Sequence, residues 1–164
     1  MSGFCELIGA LLVMAACLLF GRGYADHLRR RAADYRAVTD FLGLMQREIS
    51  ARLATPAELA ASAEEGRLAE IGFLGRVAAG ESLGDAFRRC SSGLMLSATD
   101  RELLQSYLDG FGSDSAEDEL GRLGGVLSEL SESERAVREE TPSRIRLVTT
   151  LSVLLALGIV ILLL

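Results

Sequence analysis

With 164 residues the chain has room for one domain, and a formal charge of -6 argues against nucleic acid as a partner. Its 17 basic residues are all arginine, so the lysine of a phosphate-binding loop is missing and the chain is not itself a P-loop ATPase. Hydrophobic residues at 49% and charged residues at 24% seldom coexist in one soluble fold; here they are separated, because apart from Glu6 every charge lies between Arg22 and Arg146.

The first apolar run, Leu7 to Phe20, has 14 residues, a length between a signal-peptide core and a full membrane span. Its flanks decide between the two. Glu6 precedes it while Arg22, Arg29, Arg30 and Arg31 follow, the reverse of a secretory signal, which predicts a retained transmembrane anchor over residues 1–23. Met14-Ala15-Ala16-Cys17 faintly resembles a lipoprotein cleavage site, yet Leu18, Leu19 and Phe20 continue the apolar run. Basic residues this close to a membrane attract anionic headgroups by about 1 kcal/mol each, so Arg22, Arg29, Arg30 and Arg31 are the candidate lipid contacts.

The middle of the chain reads as successive helices. Leu28, Tyr35, Val38, Leu42, Met45 and Ile49 form one stripe at helical spacing, predicting a helix near Tyr24 to Leu53. Thr55-Pro56-Ala57-Glu58 is a helix start with a capping box, and the helix it opens extends to about Glu65. Gly66 breaks it, Leu68, Ile71, Leu74 and Val77 mark the next, and Gly80 stops that one in left-handed geometry. Ser82 with Asp85 caps a fourth helix, whose apolar side is Leu83, Ala86, Phe87 and Cys90. Thr99 with Glu102 opens a fifth, carrying Leu103, Leu104 and Tyr107 as far as Gly110-Phe111-Gly112. After Ser113-Asp114, Leu120, Leu123, Leu127, Leu130 and Val137 follow a heptad, with Glu134 where the stripe wants an apolar residue, and Thr141-Pro142 predicts a kink or restart. Gly121, Gly124 and Gly125 interrupt this helix and suggest a close helix approach.

Residues 24–142 therefore read as an all-α bundle of about five or six helices, since the heptad runs are too short to favour a homotypic coiled coil. Residues 22–52 hold seven arginines against four acids, and residues 114–140 hold nine acids against three arginines, so these two helices would attract when packed antiparallel. Leu147 to Leu164 is charge-free for 18 residues, about 27 Å of helix, which predicts a second transmembrane helix over residues 143–164. Five arginines in residues 22–40 and four in residues 127–146, with none in the outer tails, place the bundle in the cytoplasm.

No active site emerges. His27 has no nucleophile near it in sequence, Cys5, Cys17 and Cys90 lack metal spacing, and the acidic run Glu117 to Glu119 suits a helix start, so neither metal nor cofactor is expected. Polar loop and helix-end positions are the better candidates for partner contact, namely Glu81, Ser82 and Asp85 in one stretch and Ser113, Asp114 and Glu117 in the other.

The arrangement is similar to a known family. Two predicted membrane helices enclose Thr55-Pro56, the run Gly80-Glu81-Ser82-Leu83-Gly84-Asp85-Ala86-Phe87, and Asp100-Arg101-Glu102-Leu103-Leu104 leading to Phe111-Gly112-Ser113-Asp114, while Ile159 to Leu164 closes the last helix. In that order these segments resemble the stage III sporulation protein AB family, with a departure at Asp118, where the family tends to carry Gln. The resemblance implies a helical cytoplasmic domain similar to that of inner-membrane platform proteins in type II secretion and type IV pilus machines, and no enzyme. It further implies a place in the mother-cell membrane, within the apparatus joining mother cell and forespore. The implied partners are a secretion-type ATPase and other sporulation channel proteins, with a homo-oligomer possible. Two other readings fit the residues: a truncated platform protein of a pilus or secretion system, and a small membrane sensor or lipid-binding regulator.

Overall fold

The computed structural model describes residues 2–52, 55–63, 66–113 and 115–163. Among them are seven α-helices and no strand: α1 (Ser2–Arg52), α2 (Pro56–Ser62), α3 (Arg67–Glu70), α4 (Phe73–Ala78), α5 (Leu83–Cys90), α6 (Ala98–Asp109) and α7 (Ala116–Leu163), with a 3-10 turn at Ser91–Gly93. The all-α class expected from the stripes is thus observed. Contacts divide the chain into two compact units, a bundle of residues 31–136 and a helix pair of residues 1–30 with 137–164.

Local chemistry sets most helix ends. The Thr55 side chain accepts from the Glu58 amide while the Glu58 carboxylate accepts from the Thr55 amide, which completes the capping box at α2. Ser82 caps α5 through the Asp85 amide at 3.2 Å. Gly72, at φ 79°, divides the single helix expected between Leu68 and Val77 into α3 and α4, a left-handed conformation that glycine takes without a Cβ penalty. Helix α6 opens at Ser97 rather than Thr99: the Ser97 hydroxyl accepts from the Asp100 amide at 3.0 Å, because Asp100 is needed inside the bundle and this register points it there. Helix α1 has no boundary near Tyr24, and α7 does not restart at Pro142. α1 is assigned without interruption from Ser2, and α7 continues through Pro142, where the Thr141 hydroxyl donates to the Val137 carbonyl at 2.6 Å.

Most of the stripes expected from the sequence face one another in the core of the bundle, while Ile71, Leu103, Leu120 and Leu127 are only half-buried. Leu42, Met45, Leu59, Leu123 and Leu130 are fully buried, and Cys90 lies in the same core. Phe73 links two aromatic contacts, edge-on to Phe41 at 5.4 Å and to Phe87 at 6.4 Å, each worth about 1 kcal/mol beyond its area. α5 lies so close to α6 that a Cβ on Gly84 would come within 2.9 Å of the Asp109 Cα. Gly121, Gly124 and Gly125 serve no such contact, since a Cβ at any of them would meet nothing within 4 Å. The close approach suggested for them is not made among the described residues.

In the helix pair, Ala25 and Leu28 are buried, and a Cβ on Gly21 would sit 3.1 Å from the Ser152 hydroxyl. Leu147, Leu151, Leu154, Leu155 and Leu157 remain exposed. Among the described residues one helix, over Ala116–Ile159, is long and apolar enough to cross a membrane by length and composition, and none of its apolar window is buried inside the protein. Most side chains of the predicted first span, Leu7 to Phe20, lie outside the described residues.

Candidate functional site

At the centre of the bundle lies a set of polar side chains that the apolar stripes concealed. Asp34 is completely buried on α1, where Arg67 Nε donates to its Oδ1 at 2.6 Å and the Met95 amide donates to its Oδ2 at 2.9 Å. Arg67 also reaches Glu70 at 2.8 Å and the Gly93 carbonyl at 3.2 Å. Its hydrogen bond to Asp34, followed by that to Glu70, holds the guanidinium above its ordinary pKa. One turn of side chains away, Asp100 accepts from three hydroxyls: Tyr35, Ser97 at 2.7 Å and Ser133 at 3.1 Å. The Thr39 hydroxyl lies 2.6 Å from Glu134 Oε2, which explains an acid at a stripe position that wants an apolar residue. Together these contacts tie α1 to α3, to α6 and to α7. A buried carboxylate stripped of such donors would cost several kcal/mol, so the network fixes which helix faces meet.

Those of the positions proposed for partner contact that the structure describes gather at one end of the bundle. Gln105 donates to the Gly84 carbonyl at 3.0 Å and Arg88 reaches Asp109 at 2.8 Å, which brings the start of α5 beside the end of α6 and hence beside the Gly110–Ser113 turn. Most of these side chains already have internal work. Glu81 is shared by Arg76 at 3.5 Å and Arg89 at 3.0 Å, Asp85 pairs with Arg88 at 2.9 Å, the Ser82 hydroxyl is a helix cap, and Ser113 donates to the Gly110 carbonyl at 2.7 Å. Glu117 is exposed in the first turn of α7, and Asp114 lies outside the described residues. Beneath this end, Glu119 is buried and accepts from the Gly112 amide at 3.3 Å, pinning the turn. Burial, reinforced by Glu119, holds the Tyr107 phenol well above its ordinary pKa, while Arg122 over the ring at 5.9 Å opposes the shift. Neither the Tyr107 hydroxyl nor Glu119 Oε1 has a hydrogen-bond partner of good geometry among the described residues.

The arginines proposed for lipid headgroups divide between the units. Arg22, Arg29 and Arg30 are exposed in the helix pair, with Arg29 3.3 Å from Asp26. Arg31 belongs to the bundle, half-buried, its guanidinium 5.9 Å from the centre of the Tyr35 ring. His27 is exposed.

A cleft of about 820 Å³ opens on the bundle beside Arg36, Asp40, Arg47, Leu68 and Glu134, with the Thr39–Glu134 hydrogen bond in its wall. No group of three or more His, Cys, Asp or Glu among the described residues is arranged to hold a metal ion. Sequence reasoning missed Asp34, Arg67, Asp100 and Ser133. For Asp34 a signal existed: it precedes the buried Val38 by four residues and Phe41 by seven, which puts it on the core face of α1.

The family model of stage III sporulation protein AB matches residues 6–164, nearly the whole chain. No curated protein and no solved structure was matched.

Proposed function

The chain belongs to the stage III sporulation protein AB family, and on that footing we propose that it serves endospore formation as a membrane platform. In this reading it does no chemistry of its own; the family is not a known enzyme family. The cytoplasmic bundle receives a secretion-type ATPase, and the two terminal helices hold it in the mother-cell membrane among other channel proteins.

The observation that carries the reading is the division of surface between the units. Every large hydrophobic side chain that is exposed among the described residues belongs to the helix pair, from Leu19 and Phe20 to Ile161. The bundle's described surface is polar instead, so a partner that meets it in water meets charge and hydrogen-bonding groups. Arginines on the bundle side of both apolar segments favour a cytoplasmic bundle.

The test is co-purification of the membrane-embedded chain with the secretion-type ATPase from the same organism, with and without residues 31–136. Recovery that needs the bundle and falls as salt rises is expected, since charge at an exposed rim chiefly tunes encounter. Equal recovery without the bundle would exclude it as the docking surface. Absence of recovery in both cases would favour a membrane sensor or lipid-binding regulator.

A further inference from the structure

We propose that the cleft on the bundle is a docking groove for an amphipathic helix of another protein, which lays an apolar stripe between Leu44 and Leu127 and sets a carboxylate against Arg47. Every lining residue falls within residues 31–136, so the groove belongs to the bundle alone and stands whether or not the terminal helices enter a membrane.

Three parts of the bundle build its walls. The lining follows α1 at positions 33, 36, 37, 40, 41, 44 and 47, passes the α2–α3 connection at Ser62 and Gly66, and returns along α7 at Leu127, Ser131 and Glu134. From position 33 to position 47 α1 rises about 21 Å, so the cleft is a trough about four helical turns long and not a closed pocket for a small molecule. Phe41, Leu68 and Leu74 are buried beneath it, while Leu44 and Leu127 are half-buried on its α1 and α7 walls. Leu127 is thus a heptad position whose burial the chain leaves incomplete on this side.

The charged groups of the lining are not alike. Asp40 lies 3.6 Å from Arg36, Glu134 is hydrogen bonded to Thr39 at 2.6 Å, and Arg67 is held by Asp34 at 2.6 Å. Arg47 is exposed and forms no ion pair among the described residues. An occupant that covers the leucines therefore gains by carrying a carboxylate at the Arg47 end. An apolar stripe with an acid to one side of it is what an amphipathic helix laid in the trough presents. A second copy is a poor occupant: every large hydrophobic side chain exposed among the described residues lies in the helix pair, so another bundle has no such stripe to offer.

The experiment uses the full chain in detergent, without the ATPase, and reads the fluorescence anisotropy of a labelled synthetic helix about four turns long. Its leucines recur at three-four spacing and its flank carries glutamates. Two further peptides have lysines for the glutamates, or the same composition with the leucines scrambled. The glutamate peptide should bind about fivefold more tightly than either. Arg47→Glu, an exposed change, should invert the order of the glutamate and lysine peptides. Leu127→Gln should weaken both, and where it lowers the melting temperature the Arg47→Glu result decides. Equal binding of striped and scrambled peptides, or a preference that Arg47→Glu leaves unchanged, would overturn the groove. A peptide held equally by the parent chain and both variants is held by the micelle, which overturns it too. A parent chain that self-associates and is made monomeric by Arg47→Glu would assign the cleft to a second copy and overturn the partner helix.

Discussion

The same two helices, α1 and α7, behave oppositely in the two units they help to build. In the bundle α1 buries Leu42 and Met45 completely and α7 buries Leu123 and Leu130 completely. In the helix pair α1 leaves Leu19 and Phe20 exposed, and α7 leaves Leu151, Leu154 and Leu155 exposed. The composition of the exposed face changes at the same places, with charge confined to the stretch from Arg22 to Arg146 apart from Glu6. An apolar side chain in the bundle is therefore part of a core that the chain supplies itself, and one in the helix pair awaits a covering from outside.

The widest separation between the units should come from one substitution made in each. Leu42→Asp places a carboxylate in the closed core and should cost about 4 kcal/mol or more, enough to abolish cooperative melting of the full chain in detergent. Leu155→Asp should leave that melting within about 0.5 kcal/mol of the parent while disfavouring insertion by about 3 kcal/mol, read as a shift from the membrane to the soluble fraction. If Leu155→Asp unfolded the bundle, or Leu42→Asp melted normally, the contrast between the two regions would collapse.

Next in size is the polar centre of the bundle. Asp34→Ala removes the carboxylate that ties α1 to Arg67 and to the Met95 amide and should cost about 2 kcal/mol, because that amide loses its acceptor while Arg67 keeps only Glu70 and the Gly93 carbonyl. Adding Arg67→Met should recover part of that loss, and a double-mutant cycle on thermal melts checks it. Strict additivity of the two changes would mean that the pair is not coupled.

What the sequence made legible follows the range of each interaction. The Thr55/Glu58 box, the Ser82/Asp85 cap and the Gly80 stop at φ 92° are contacts within one turn, so their residues stand next to each other in the chain. The choice of Ser97 over Thr99 was not legible, since both have an acid three residues on. Tyr35 and Ser133 decide it by holding Asp100 from two distant helices. The Asp34–Arg67 pair spans 33 residues and leaves no periodic trace beyond an acid on an apolar face. Pro142 carries the cost of a missing helical donor yet does not end α7. For the partner surface the sequence offered only polarity, and the ion pairs of Glu81 and Asp85 show why that is a weak guide: charges at helix ends often serve the fold itself.

Two glycines test the inside and the outside of the bundle at smaller amplitude. Gly84→Ala forces α5 away from the Asp109 backbone and should cost about 2 kcal/mol. Gly125→Ala should do the reverse. Position 125 is exposed on α7 and an added Cβ there meets nothing, so alanine gains helix propensity and removes unfolded-state freedom without a clash. A stabilisation of about 0.7 kcal/mol is expected, seen as a small rise in the melting temperature of the full chain. Measured alone, the substitution asks only whether the outer face of α7 is free within the chain. Repeated in the presence of the partner, it asks what covers that face in the assembly. If the ATPase or a second copy packs closely there, the same alanine that stabilises the isolated chain should weaken co-purification, because the missing side chain is what lets another backbone approach. If recovery is unchanged, docking lies elsewhere, and the end of the bundle formed by α5 and the Gly110–Ser113 turn becomes the surface to dissect.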